Sequence, residues 1–142
     1  MDNYMELKLQ ARPENEAFAR NVVGAFCVSL SPTLEELNDI KTAVSEAVTN
    51  SVVHGYRKAS EKLITVSAAI SGSTVTVTIS DEGVGIPNVG EALEPFYTTR
   101  PEEERSGMGF TIMQTFMDSL EVTSEGGTKV VMRKRIIGGS NA

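Results

Sequence analysis

Apolar and polar residues alternate through Met5-Glu6-Leu7-Lys8-Leu9-Gln10-Ala11, which predicts a half-exposed first strand that Pro13 ends. Over residues 14–30, Phe18, Val22, Phe26 and Leu30 recur at helical spacing, with Cys27 beside that stripe, so an amphipathic helix is expected there. Ser31-Pro32-Thr33 breaks the chain, and Thr33 with Glu36 has the pattern of a capping box opening a second helix. Leu34, Leu37, Ile40, Val44, Ala47 and Val48 form its apolar side, and Gly55 suits its end. Residues 62–70 and 74–80 are rich in Val, Thr and Ile and flank Ser71-Gly72-Ser73, the pattern of a hairpin. The periodicity fails across residues 88–106, which hold Pro95, Pro101 and the charged run Glu102-Glu103-Glu104-Arg105, and this segment is read as a mobile lid. Phe110, Ile112, Met113, Phe116 and Met117 then mark a third helix, and residues 120–124 and 128–134 are closing strands around Glu125-Gly126-Gly127.

The order strand, helix, helix, hairpin, lid, helix, hairpin predicts an α/β two-layer sandwich, with three helices on one face of a mixed, mostly antiparallel sheet. A single domain over residues 1–136 is expected, followed by a disordered tail at residues 137–142. The chain of 142 residues is 40% hydrophobic and 23% charged, the composition of an ordinary globular protein. Its net charge of -6 argues against a nucleic-acid surface. The basic run Arg133-Lys134-Arg135, with Lys129, reads as a solvated strand edge rather than a binding site. No apolar stretch approaches the ~20 residues of a membrane span, and the start of the chain lacks the pattern of a signal peptide, so a cytoplasmic location is expected. The single Cys27 excludes an internal disulfide and reads as a small buried hydrophobe.

Candidate chemistry lies in three segments. In Glu46-Ala47-Val48-Thr49-Asn50-Ser51-Val52-Val53-His54-Gly55, Glu46 and Asn50 stand one helical turn apart and so reach one spot. An Asn50 amide oxygen can bind a Mg²⁺ that also carries phosphate oxygens, leaving the Glu46 carboxylate free to take a proton. The competing reading is a polar pair on a solvated face. His54, the only histidine, suits a structural place at a helix end. In Asp81-Glu82-Gly83-Val84-Gly85, an aspartate at a strand end can accept a hydrogen bond from the exocyclic amine of adenine, and the glycines allow close approach; an acidic turn is the competing reading. In Arg105-Ser106-Gly107-Met108-Gly109-Phe110, Gly107 and Gly109 open an apolar helix whose free N–H groups favour phosphate, and Arg105 adds a cation. Thr128 follows two glycines and either reaches the base or is a plain hairpin threonine.

Together the three segments resemble the N, G1 and G2 boxes of the Bergerat-fold (GHKL) ATPases, which include gyrase B, Hsp90, MutL and the catalytic domains of histidine kinases. Glu46 to Tyr56, Phe96-Tyr97-Thr98-Thr99-Arg100-Pro101 and Arg105 to Met113 are most similar to the anti-sigma-factor serine kinases of endospore-forming bacteria. That resemblance implies a dimeric switch that holds a sporulation sigma factor of the sigma-F type when ATP is bound and phosphorylates a serine on an anti-anti-sigma partner. It further implies Glu46 as the base and Asn50 as the Mg²⁺ residue. Asp81, Gly83, Gly85, Thr98, Thr99, Arg105, Gly107, Met108, Gly109 and Thr128 would then contact ATP or ADP, and Arg20 would contact protein partners. Two other classes remain open at this point: an ATP-gated binding module without chemistry, and a stand-alone histidine-kinase catalytic domain.

Overall fold

Asp81 sits at the end of a strand and Glu46 on the long second helix, so the packing of helices on the sheet decides whether they meet. The computed structural model describes residues 1–55, 62–83 and 109–139. Five strands, β1 (Asn3–Gln10), β2 (Leu63–Ser71), β3 (Thr74–Asp81), β4 (Ser119–Thr123) and β5 (Thr128–Arg135), form one sheet in the order β1-β2-β3-β5-β4. The expected sheet was mixed; the four pairings among the described residues are all antiparallel. Three helices, α1 (Asn15–Cys27), α2 (Leu34–Asn50) and α3 (Gly109–Phe116), complete the described elements together with short 3-10 and π turns.

Alternation does what the period of a pleated strand requires. Ile64, Val66, Ala68 and Ile70 of β2, Val75, Val77 and Ile79 of β3, and Val130 and Met132 of β5 are buried in one core with the helices. Thr65, Ser67, Thr76, Thr78 and Ser80 on the other face are only partly covered. Ile40, Ala43, Val44, Ala47 and Val48 of α2 enter the core, each larger side chain contributing roughly 1.5–3 kcal/mol on burial. Leu34, counted on this side from the sequence, is the first residue of α2 and is instead 74% exposed.

The stripe on α1 is shifted by one residue from the expected Phe18, Val22, Phe26 and Leu30. Ala19, Val23, Gly24 and Cys27 are the buried residues, and Phe18 is 52% exposed. A stripe of small residues lets α1 come close to α2: a methyl group at Gly24 would lie 3.1 Å from Lys41 Cδ. Cys27 is fully buried, as expected, and burial pushes its thiol up to about 11. The capping box forms in full, with Glu36 N–H donating to Thr33 Oγ1 and Thr33 N–H to Glu36 Oε1.

Three further expectations are revised. The α-helical part of α2 stops at Asn50, and Ser51–Gly55 continues as a π-helical turn. The basic run is not on a sheet edge: β5 lies between β3 and β4, and the Lys134 side chain is only 12% exposed. The expected disordered tail at 137–142 is held at its first residues, because Ile137 and Gly138 donate N–H groups to the Glu36 carboxylate and Gly139 donates to the Ser31 carbonyl. The expected lid at 88–106 and residues 140–142 lie outside the described residues.

Candidate nucleotide site

Helix α2 presents Glu46 and Asn50 half-buried on the side where α3 begins. A methyl group built on Gly109 would lie 3.1 Å from Asn50 Nδ2, 3.3 Å from Asn50 Oδ1 and 3.4 Å from Glu46 Oε1. Both side chains are therefore aimed at the first turn of α3, and the solvated-face reading of the pair does not hold. Gly109 is buried and has no Cβ to fill that space. At a helix N-terminus the backbone N–H groups lack intrahelical partners and the dipole favours negative charge. A carboxylate and an amide so face the start of α3 together.

The second part of the site is built at the end of β3. Ser51 and Asp81, 6% and 7% exposed, are the buried polar or charged side chains among the described residues. They are partners: Ser51 Oγ donates to Asp81 Oδ2 at 2.7 Å, and Gly83 N–H donates to Asp81 Oδ1 at 2.9 Å. Each carboxylate oxygen keeps acceptor capacity beyond these bonds. The π-helical turn begins at Ser51, immediately after the residue that ends α2, and π turns of this kind often accompany functional sites. It carries the hydroxyl onto the strand end while Asn50 stays directed at α3.

Thr128 pairs with Asp81 across β3 and β5, so both point to the helix-covered face. The turn before it is locked by Gly127, where a methyl group would overlap the Asp81 carbonyl oxygen and lie 2.7 Å from Glu82 Cα. The Gly127 φ of +128° is itself a conformation that side-chain-bearing residues rarely adopt. The turn backbone that leads into β5 thus lies directly against the Asp81-Glu82 backbone.

A groove of about 870 Å³ opens at the same end of the sheet but on its other face, where Lys8, Thr65, Ser80, Lys129 and Thr123 form one row across the five strands. It touches Asp81 and Thr128 from behind and is distinct from the space between α2 and α3.

These elements, in this order, are those of a known family. A family model described as a histidine kinase-like ATPase domain matches residues 9–134. The anti-sigma F factor of Clostridium perfringens (strain SM101 / Type A) is 56% identical over 138 residues, 96% of this chain and 99% of its own. That of Clostridium beijerinckii is 55% identical over 136 residues, 94% of this chain and 95% of its own. The chain belongs to the anti-sigma F factor family of histidine kinase-like ATPase domains. Two solved structures share the fold. The RsbU and RsbW domains of a Mycobacterium tuberculosis protein match with a TM-score of 0.67 at 19% identity, over 94% of this chain and 32% of that one. The catalytic domain of the histidine kinase ThkA matches with a TM-score of 0.60 at 13% identity, over 94% and 96%.

Of the residues singled out in this anti-sigma F factor relative, Glu46, Asn50 and Gly109 converge, and Asp81, Gly83 and Thr128 gather at the neighbouring strand end. Gly85, Thr98, Thr99, Arg105, Gly107 and Met108 lie outside the described residues. Arg20 stands apart on α1, its guanidinium held 2.7 Å from Glu16 one turn away and its side chain 39% exposed. Sequence reasoning gave Ser51 no role. Its signal was a hydroxyl at a core position, in step with Ala47 and Val48, where a polar group requires a partner.

Proposed function

We propose that the chain is a Mg·ATP-dependent protein serine kinase that also sequesters a sigma factor of the sporulation type. The observation that carries this is the convergence of Glu46 and Asn50 on the N-terminus of α3, beside a buried Asp81 at a strand end. In this reading Asp81 accepts from the exocyclic amine of adenine, with Ser51 and Gly83 holding the carboxylate in place and Thr128 beside the base. The first turn of α3, with Gly107 and Arg105 before it, receives the phosphates, and Gly85, Thr98, Thr99 and Met108 complete the nucleotide contacts.

The Asn50 amide oxygen is a hard donor of the kind Mg²⁺ takes, and the missing side chain at Gly109 lets that amide and the Glu46 carboxylate pack against the start of α3, so the donor set fits a magnesium nucleotide. The metal would neutralise phosphate charge. Glu46 would accept the proton of the attacking serine hydroxyl as the serine oxygen bonds to the γ-phosphorus and the bond to ADP breaks. The partners in this reading are a sigma factor, an anti-anti-sigma factor phosphorylated on serine, and a second copy of the chain, with Arg20 in the contact surface. No described helix is long and apolar enough to cross a membrane, and the net charge of -6 is unsuited to binding nucleic acid directly.

The test is incubation with Mg·ATP and a candidate anti-anti-sigma protein, followed by intact mass measurement after acid treatment. An acid-stable gain of one phosphoryl group on the partner is expected. A gain lost in acid would point instead to phosphohistidine and a histidine kinase. A bound but unmodified partner would point to an ATP-gated binding module.

A further inference from the structure

Helix α3 is described from Gly109 to Phe116, and Gly109 faces Glu46 and Asn50. Its placement along its own axis therefore decides where the N–H groups of its first turn stand. At its other end, Lys134 Nζ donates to the Phe116 carbonyl at 2.7 Å and lies 3.7 Å from Asp39 Oδ2 on α2. Lys134 shares the parity of Val130 and Met132 on β5, so it emerges on the core side and reaches its partners beneath the helices. One ammonium thus joins β5 to both helices of the site: α2, which carries Glu46 and Asn50, and α3, which carries Gly109.

We infer that Lys134 is a positioning residue that sets the first turn of α3 against Glu46 and Asn50, and that it does so for the phosphate half of the nucleotide alone. This rests on the reading of α2 and α3 as the nucleotide site. Lys134 takes no part in the chemistry. It lies six strand residues from Thr128, roughly 20 Å at ~3.3 Å per residue. The positive charge is well matched to the C-terminal end of a helix, where unpaired carbonyls carry negative partial charge. Around it, the α3 end is further fixed by Asp118 N–H to the Arg133 carbonyl at 2.8 Å and by Arg135 N–H to Asp118 Oδ2 at 2.7 Å. Those bonds hold residue 118, beyond the helix; the Lys134 bond holds the last helical carbonyl itself. The adenine half, Asp81 with Ser51 and Gly83, is assembled from β3 and the end of α2 without α3.

A group that merely stabilised the fold would weaken all ligands together or none. Lys134 should separate them. The test is NMR titration of the full chain with Mg·ATP and, separately, with adenosine, which has no phosphate. For Lys134→Met the dissociation constant for ATP is expected to rise about fivefold or more, a change of ~1 kcal/mol, with adenosine changed less than about twofold. Lys134→Arg should recover most of the loss by restoring the charge at the helix end. Asp39→Asn, which leaves the bond to Phe116, should shift the ATP affinity in the same direction by less. If Lys134→Met does not fold, those two milder variants carry the test. An unchanged ratio of ATP to adenosine affinity in the folded variants overturns the role of Lys134 while leaving the nucleotide site intact. If the unsubstituted chain binds neither ligand, the reading of the site itself falls.

Discussion

The Ser51 hydroxyl and the Asp81 carboxylate form a hydrogen bond of 2.7 Å between the end of α2 and the end of β3, both side chains nearly sealed from water. It is the polar link between the helix that would hold magnesium and the strand that would read the base. Replacing Ser51 with Ala would leave Asp81 Oδ2 buried without its hydroxyl donor, and an unsatisfied buried group costs about 1–3 kcal/mol. Urea unfolding of Ser51→Ala should show a loss in that range, together with weaker adenosine binding. Full stability with unaltered adenosine affinity would mean that another donor replaces the hydroxyl.

Glu46 faces the first turn of α3 from the same side as Asn50, and its proposed task is proton transfer and not nucleotide binding. Glu46→Gln keeps the size and one oxygen but cannot accept the serine proton. Phosphorylation of the partner should fall about 10²- to 10⁴-fold, the usual contribution of a general base, with ATP affinity changed only slightly. A single-turnover phosphorylation assay beside an ATP titration measures both. Loss of ATP binding equal to the loss of transfer would instead make Glu46 a binding residue.

Much of this arrangement was legible in the sequence because local chemistry forces it. Thr33 with Glu36 announces the start of α2, and the alternation of Val75, Val77 and Ile79 puts Asp81 in step with the buried face. Spacing alone also puts Glu46 and Asn50 together. What they face depends on α3, which lies far along the chain, and only packing brings Gly109 to them. The α1 stripe was misread for a related reason. Phe18, Val22, Phe26 and Leu30 are the larger hydrophobes, but close packing on α2 selects the small residues Ala19, Gly24 and Cys27. Lys134 looked like one charge in a basic run because its partners, Phe116 and Asp39, lie on two other elements.

Glu36 couples the start of α2 to the chain after β5. Desolvation pushes its carboxyl upward, but N–H groups of Thr33, Ile137 and Gly138 and the Thr33 side chain outweigh it and hold the group below its ordinary 4.5. A depressed folded-state pKa adds stability above the unfolded-state value, and that stability is lost as pH falls through the folded value. The stability gap between the unsubstituted chain and Glu36→Gln should thus be full at neutral pH and close below about pH 4.5. Urea midpoints across pH 3–7 measure it. A gap independent of pH would assign the effect to shape and not to charge.

Cys27 is fully buried in the α1 stripe and its thiol is raised to about 11 by burial. The reactive thiolate is thus scarce and out of reach in the folded chain. Iodoacetamide at pH 8 should leave the native protein unmodified and label it at the rate of unfolding, as followed by mass spectrometry in increasing urea. Rapid labelling without denaturant would show that α1 opens locally from α2.

Gly126 and Gly127 adjoin in one turn but differ in what surrounds them. At Gly126, with φ of +65°, a methyl group meets nothing within 4 Å; at Gly127, with φ of +128°, it runs into the Asp81-Glu82 backbone. Gly126→Ala carries only the left-handed strain, about 1–2 kcal/mol. Gly127→Ala carries strain of order 1–3 kcal/mol and must also push β5 away from the end of β3, a shift that displaces Thr128 from Asp81 across the pairing. Thermal unfolding should therefore rank Gly127→Ala well below Gly126→Ala, and adenosine affinity should drop in the former alone. Equal stability and equal affinity in the two variants would mean that the close contact between β5 and Asp81 is not what shapes the adenine side of the site.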